Sequence, residues 1–325
     1  MKAVFIEKFG DIESLVIKEV EMPRKPMSRE ALIRVHAAGL NRADILQRKG
    51  LYPPPKGTPE RIPGLEFAGE IVEIGKSVKR FKPGDRVFGI ASGAAQAEFI
   101  TVHEGLLMKI PSALNFVEAA AIAEVFITAH DALFTLAKIK KGENVLIHAV
   151  GSGVGTAALQ LAKLAGANTF GTSRSTEKLQ KSFGIGLQHP ILASQETDFT
   201  EYLKAHGGAD VVLDLVGAAY FNRNLDVLRA KGRLILVGLT SGSKVEFNLG
   251  LALSKRLRII GTVLRSKSIS EKSAAIKKFS SFLRFFETGE LKPMIDRVFK
   301  MHEIRQAHEY LEANRNFGKV VLEIS

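Results

Sequence analysis

The stretch from Val145 to Gly155, VLIHAVGSGVG, limits what this chain can fold into more than any other. An apolar run ends in glycines spaced Gly151-x-Gly153-x-Gly155, and an Ala/Leu-rich run from Thr156 to Leu164 follows at once. Strand, tight turn and helix in that order make one βα unit. Glycine lets a backbone turn sharply and approach a ligand with no Cβ in the way. The helix N-terminus that follows offers unpaired N–H groups and the positive end of the helix dipole, which suits a pyrophosphate. The spacing departs from G-x-G-x-x-G, so the flanking strand and helix carry the dinucleotide reading. The bare pattern also fits a glycine-rich loop that binds nothing.

The rest of the chain places this unit. From Asn115 to Leu136 it is Ala-rich with apolar residues at helical spacing. Beyond it, apolar strands alternate with helices: strand Val145–Ala149, helix Thr156–Ala165, strand Asn168–Thr172, helix Thr176–Phe183. A loose segment and a short helix, Phe199–His206, lead to strand Val211–Leu215, helix Phe221–Leu228 and strands Arg233–Val237 and Leu257–Thr262. Near-continuously apolar strands alternating with helices imply a parallel sheet covered on both faces. Before Pro111 the pattern is short strands and turns: Ala3–Glu7, Leu15–Val20, Ala31–Ala38, Phe67–Ile74 and Ala97–Val102. Asn41 can cap a short helix reaching Arg48, and the stiff Tyr52-Pro53-Pro54-Pro55 loop follows. Helical patterning returns at Glu271–Thr288 and Glu303–Ala313, and Lys319–Ile324 closes as a strand. The expected architecture is a doubly wound parallel sheet, residues 122–262, inserted into a mostly β unit made of residues 1–121 and 263–325.

Composition narrows the chemistry. The 325 residues include no cysteine, which removes disulfides, thiolate catalysis and cysteine-ligated metals together. The net charge is +12, with Lys and Arg densest at Lys255–Arg258 and from Arg265 to Lys278. No aromatic platform of the kind that stacks single-stranded bases accompanies them. A basic surface that attracts an anionic cofactor is therefore favoured over a nucleic-acid partner. No apolar run reaches the roughly 18 residues of a membrane span, and Glu7 breaks the N-terminal apolar run. We expect a cytoplasmic protein with no membrane partner. There is no G-x-S-x-G, no H-E-x-x-H and no histidine pair at metal-ligand spacing. His148, in the glycine-turn strand, reads as a packed, hydrogen-bonded residue.

The cofactor is read at the end of the second strand, about 20 residues beyond the glycine turn, where an NAD site carries Asp or Glu. Here the residues are Thr172-Ser173-Arg174-Ser175-Thr176-Glu177-Lys178, with no acid at the strand end. Hydroxyls with Arg174 and Lys178 suit a 2′-phosphate, so NADPH is expected over NADH. Solvated charges at a helix start are the plainer explanation of the same two cations.

At this point the residues carry a resemblance along the whole chain. Gly39-Leu40-Asn41-Arg42-Ala43-Asp44, Gly64-Leu65-Glu66, Pro83-Gly84-Asp85-Arg86-Val87, Ala119–Ile122 with Thr128-Ala129, Asp214-Leu215-Val216-Gly217 and Asn316–Leu322 belong to it, with the glycine turn. Together they resemble the zinc-independent quinone oxidoreductases of the medium-chain dehydrogenase/reductase superfamily. The nearest likeness is to the p53-inducible quinone oxidoreductase-like branch, through Leu40–Gln47, Glu104–Leu107 and Leu264-Arg265-Ser266. The resemblance implies a GroES-like partly open β-barrel domain beside a Rossmann domain, with the active site in the cleft. It implies a homodimer through the last Rossmann strands, here Arg258–Thr262. It implies no metal: zinc alcohol dehydrogenases of the superfamily have Cys at the position of Asn41 and His at that of Leu65.

Carried over position by position, the resemblance assigns NADPH contacts to Asn41, Thr128, Ser152, Gly153, Val154, Ser173, Lys178, Gly238, Asn316 and Lys319. Gly151, Gly155 and Arg174 join them from the motif reading. Asn41 and Tyr52 are the polar groups expected near nicotinamide and substrate. Tyr52 either donates to a substrate oxygen or forms an apolar wall, and the wall is favoured. Asp44 is expected to fix the local turn. Three residues depart from the family pattern. Ala123 replaces a Pro and loosens that loop, Pro190-Ile191-Leu192 replaces an Asn-Tyr near the 2′-phosphate, and Ser152 adds a hydroxyl to the glycine turn. The activity so implied is hydride transfer from NADPH to a small electrophile, a quinone or an α,β-unsaturated carbonyl. The alternatives are an enoyl-thioester reductase, with Lys255–Arg258 attracting a carrier or coenzyme phosphate, and a non-catalytic nucleic-acid-binding or crystallin-like protein.

Overall fold

The apolar runs beyond Asn144 form a six-stranded parallel sheet in a computed structural model that describes residues 1–193 and 198–324. In chain order its strands are Asn144–Ile147, Asn168–Ser173, His189–Leu192, Ala209–Asp214, Leu228–Leu236 and Arg258–Gly261. Across the sheet they lie third, second, first, fourth, fifth, sixth, the order of a doubly wound dinucleotide fold. Ligands of such sheets bind outside the carboxyl ends of the strands where the order reverses, which here is between the first and fourth. Burial explains the unbroken apolar strands: Leu146, Phe170, Ile191, Val212 and Leu234 share one core with Phe199, Phe221 and Leu225 from the covering helices. Part of the loose segment before Phe199, residues 194–197, lies outside the described residues.

Of the remaining strands, Lys2–Ile6 and Leu15–Glu19 form a two-stranded antiparallel sheet, and the others build a seven-stranded sheet, mostly antiparallel, around the long strand Glu30–Leu40. Glu66–Ile74 pairs with it on one side and Lys319–Glu323 on the other, both antiparallel. Ile33, Val35, Phe67, Ile71, Val87 and Ile100 fill its core. Ile295–Lys300 pairs parallel to Lys319–Glu323 and has no counterpart in the sequence reading, because Asp296, Arg297 and Lys300 make it look like a solvated segment. Contacts divide the chain into Met1–Ile127 with Leu264–Ser325, and Thr128–Val263. The first boundary of this division falls inside the helix Ala123–His130.

Two expectations need correcting. Phe116–Leu136 is long and apolar enough by length and composition to cross a membrane, and the sequence reading passed over it. It is broken into helices Phe116–Ala119 and Ala123–His130 with a π-helical continuation, and 78% of its most apolar window is buried in the protein. It therefore reads as a core helix with most of its apolar surface against protein. Ala123 does not loosen its loop: it is fully buried and begins the helix, at a position where a missing proline N–H would cost nothing.

Candidate functional site

The glycine turn has the geometry its residues dictate. The strand Asn144–Ile147 is buried along its length, and Ala149 turns the chain with φ +48°. The helix Gly153–Leu164 begins behind Ser152, whose Oγ accepts the Gly155 N–H at 3.1 Å. A Cβ on Gly155 would lie 2.4 Å from the Ala149 carbonyl oxygen and 2.7 Å from that of Val150. Glycine is thus required for the turn to close. The first amides of a helix have no partner within it, so Gly153 and Val154 present N–H groups to an anion. The turn fits a pyrophosphate on this ground. The Lys178 side chain lies against the turn, 3.0 Å from where a Gly151 Cβ would sit.

The second strand ends at Ser173, a buried residue whose Oγ accepts the Ser175 N–H at 3.1 Å. Ser175 in turn caps the helix Thr176–Phe183 through the Lys178 N–H. Arg174 is exposed at the same strand end. Gly238 follows the fifth strand and donates its N–H to the Asp214 carbonyl at 3.2 Å. Thr128 is buried at the start of this unit.

Behind the turn runs a buried polar relay. His148 Nε2 lies 2.7 Å from Asn224 Oδ1, an acceptor, so that nitrogen carries the proton. Nδ1 then accepts from the Thr172 hydroxyl at 2.8 Å. Asn224 donates to Asp214 Oδ2 at 2.9 Å, and Asp214 Oδ1 accepts the N–H groups of Val216 and Gly217. Every member is satisfied, as a buried network must be. Burial pushes His148 down to about 4 and keeps the imidazole neutral. The expected packed role of this histidine is the one observed.

In the other unit, Asn41 precedes the helix Arg42–Arg48. Asp44 caps that helix, its Oδ2 accepting the Asn41 N–H at 2.8 Å while Oδ1 accepts the Gly64 N–H at 3.0 Å. Asp44 fixes the turn, as expected of it. The Asn41 amide is left for other partners. Its Nδ2 donates to Glu66 Oε1 at 2.9 Å, and its Oδ1 accepts from Lys319 Nζ at 2.8 Å. Lys319 also lies 2.6 Å from Glu66 Oε1 and donates to the Leu40 carbonyl. The structure so joins Asn41 and Lys319 directly. A Cβ on Gly39 would come within 2.4 Å of the Glu66 carboxylate, which is why the strand carries glycine there. Asn316, buried nearby in sequence, holds the turn to Lys319 by donating to the Gly318 carbonyl at 2.6 Å.

Tyr52 is held by a residue the sequence reading gave no role. Arg265 Nη1 donates to the Tyr52 carbonyl at 3.0 Å, its guanidinium lies 5.0 Å from the Tyr52 ring centre, and Nη2 donates to Gln47 Oε1. Lys272 donates to Ser92 Oγ at 2.6 Å and to the Arg265 carbonyl at 2.7 Å. Both cations are buried, and burial lowers each from its ordinary pKa. Burial raises the Tyr52 phenol. The one signal for Arg265 was its place in Leu264-Arg265-Ser266; Lys272 reads locally as a solvated helix charge. Among the described residues no three His, Asp or Glu side chains converge as metal ligands.

Comparison with known proteins places the chain in a family. Residues 27–112 match the family Alcohol dehydrogenase GroES-like domain and residues 153–281 the family Zinc-binding dehydrogenase. A quinone oxidoreductase of Pongo abelii is 31% identical over 99% of this chain and 97% of its own. Among solved structures, the quinone oxidoreductase of Escherichia coli complexed with NADPH has a TM-score of 0.89 at 29% identity, covering 100% of both chains. The CurK enoyl reductase has a TM-score of 0.85 at 29% identity, covering 100% of this chain and 99% of its own. This chain is an oxidoreductase of the NAD(P)-binding medium-chain dehydrogenase/reductase superfamily, and it belongs to the quinone oxidoreductase family within it.

Proposed function

We propose that the protein is a metal-independent reductase that uses NADPH to reduce quinones or α,β-unsaturated carbonyls. The observation that carries this reading is the end of the second Rossmann strand. Ser173, Arg174 and Lys178 stand there with no carboxylate, and the Lys178 stem lies against the glycine turn. Two cations and a hydroxyl suit a 2′-phosphate, where an acid would suit a ribose hydroxyl. NADPH in the Escherichia coli relative supports the same choice. Bound NADPH supplies hydride from nicotinamide C4. The chain's own part is binding and orientation: the amides of Gly151–Gly155 take the pyrophosphate, Arg174 and Lys178 balance the 2′-phosphate, and Gly238, Thr128 and Asn316 are each proposed as cofactor contacts. Asn41, held by Lys319 and Glu66, presents a fixed amide to the nicotinamide end, and Tyr52 forms a wall pinned by Arg265.

Consumption of NADPH with simple quinones, with NADH poorer and saturated alcohols inert with NADP+, is the result expected. Turnover of alcohols with no turnover of quinones counts against it. Enoyl-thioester reduction is the second reading, supported by the CurK and JamJ enoyl reductases among the structural neighbours. Lys255, however, donates to the carbonyls of Leu225 and Asp226, closing a helix end, and so is not available to a coenzyme phosphate. We also propose a homodimer through the edge strand Arg258–Gly261. Leu249 and Leu253, one helical turn apart, are 72% and 80% exposed, and Ile259 and Val263 are exposed with them.

A further inference from the structure

Reduction of a carbonyl acceptor needs a proton as well as a hydride, and few acids near Asn41 are able to give one. Asp44 is fully buried, and each of its oxygens accepts a backbone N–H. Glu66 is fully buried, with Oε1 on Asn41 and Lys319 and Oε2 on the Glu124 N–H at 2.8 Å. Burial makes the Tyr52 phenol a weaker acid than usual. Glu124 is different. It is the second residue of the helix Ala123–His130, and its backbone stands one carboxylate away from the Asn41 amide. Its side chain is part-exposed, and among the described residues its carboxyl has no hydrogen-bond partner.

We infer that Glu124 is the proton donor of the reduction, a role that rests on the reductase reading above. Hydride from NADPH adds to the acceptor, and the π electron pair moves onto the carbonyl oxygen. The Glu124 O–H bond breaks as the new O–H bond forms there. A quinone has then gained one hydride and one proton and become a hydroquinone, and NADPH has become NADP+. Glu124, now a carboxylate, takes its next proton from water, which its partial exposure admits.

The surroundings keep the proton in place beforehand. Burial and the neighbouring Glu66 carboxylate push Glu124 up to about 8, with Asp44 adding to the effect and Lys319 and Lys272 opposing it. Tyr52 and Arg265 also face it. A general acid works best when its pKa lies near the working pH.

The test compares wild type, Glu124→Gln and Glu124→Asp. Glu124→Gln should lower kcat for quinone reduction about a hundredfold and abolish the fall in rate above pH about 8. Its Kd for NADPH, read by fluorescence, should stay unchanged. Glu124→Asp, which keeps an acid, should recover part of kcat and the alkaline limb. In the protein without cofactor, infrared spectra at neutral pH should contain a protonated-carboxyl band missing from Glu124→Gln. A Glu124→Gln enzyme with wild-type kcat and pH profile overturns the donor role, as does absence of that band. Wild-type protein that fails to oxidise NADPH with any quinone or α,β-unsaturated carbonyl offered overturns the reductase reading instead, and the infrared titration still reads the Glu124 proton.

Discussion

The Lys319 ammonium lies 2.6 Å from Oε1 of Glu66, with 4% of one side chain exposed and none of the other. Removing one member of a buried pair strands the other charge, at a cost of roughly 3–5 kcal/mol. Lys319→Met should therefore unfold at markedly lower urea concentration. The double variant Glu66→Gln with Lys319→Met should recover part of that loss. A single variant within about 1 kcal/mol of wild type would show that water reaches the pair.

Gly155→Ala tests the turn. The added methyl meets the Ala149 and Val150 carbonyls, so the helix start must move away from the strand. Overpacking of this kind costs roughly 1–3 kcal/mol. Affinity for NADPH should fall about tenfold or more in a fluorescence titration. Unchanged affinity would separate the turn from the cofactor.

Arg174→Ala tests the choice of cofactor. The exposed guanidinium is expected to meet the 2′-phosphate and nothing in NADH. The KM for NADPH should rise about tenfold while the KM for NADH stays level. Equal changes in both would remove Arg174 from the phosphate site.

His148 sets a pH dependence. Its folded pKa of about 4 lies below the ordinary 6.5, so the unfolded chain binds the extra proton between those values. Stability from this group is complete above about pH 6.5 and is lost as pH falls towards 4, by roughly 3 kcal/mol in all. His308, pushed down to about 3 by burial and Arg48, acts in the same direction. Asp44, raised to about 6, acts in the opposite one, favouring the folded state at low pH. Urea unfolding from pH 7 to 4.5 should show a shallower slope in His148→Gln than in wild type; parallel slopes would count against the neutral buried imidazole.

Leu253→Asp probes the proposed dimer. A charge at a side chain now 80% exposed should leave the monomer's stability near wild type and shift sedimentation to the 35.4 kDa species. A wild type that already sediments at that mass at micromolar concentration removes the edge-strand dimer.

Much of the Rossmann half was legible because its signals are local. Strand Asn168–Ser173 and helix Thr176–Phe183 are set by apolar period and by caps such as Ser175, all within a few residues. The glycine turn was legible for the same reason. What escaped depends on partners far along the chain. Glu66 gains its meaning from Lys319, and Tyr52 from Arg265, 213 residues away. Arg265 and Lys272 look like surface cations until the fold buries them beside Ser92. Glu124 has no local signal for a role, because the Glu66 that helps to hold its proton comes from a strand 58 residues earlier.

The strand Lys319–Glu323 is interior to its sheet, between Glu30–Leu40 and Ile295–Lys300. On a ribosome, Lys319 emerges 278 residues after the Asn41 it will bind. Until then Glu66 has no ammonium to compensate it, and the Ala37–Leu40 end of the strand Glu30–Leu40 lacks a partner on the flank where Phe99–His103 already pairs with Glu30–Arg34. The nascent barrel must therefore wait, with a carboxylate unburied and a strand edge unpaired, while the whole inserted nucleotide-binding unit is synthesised. The Asn41 site is therefore assembled only after the inserted unit has been made.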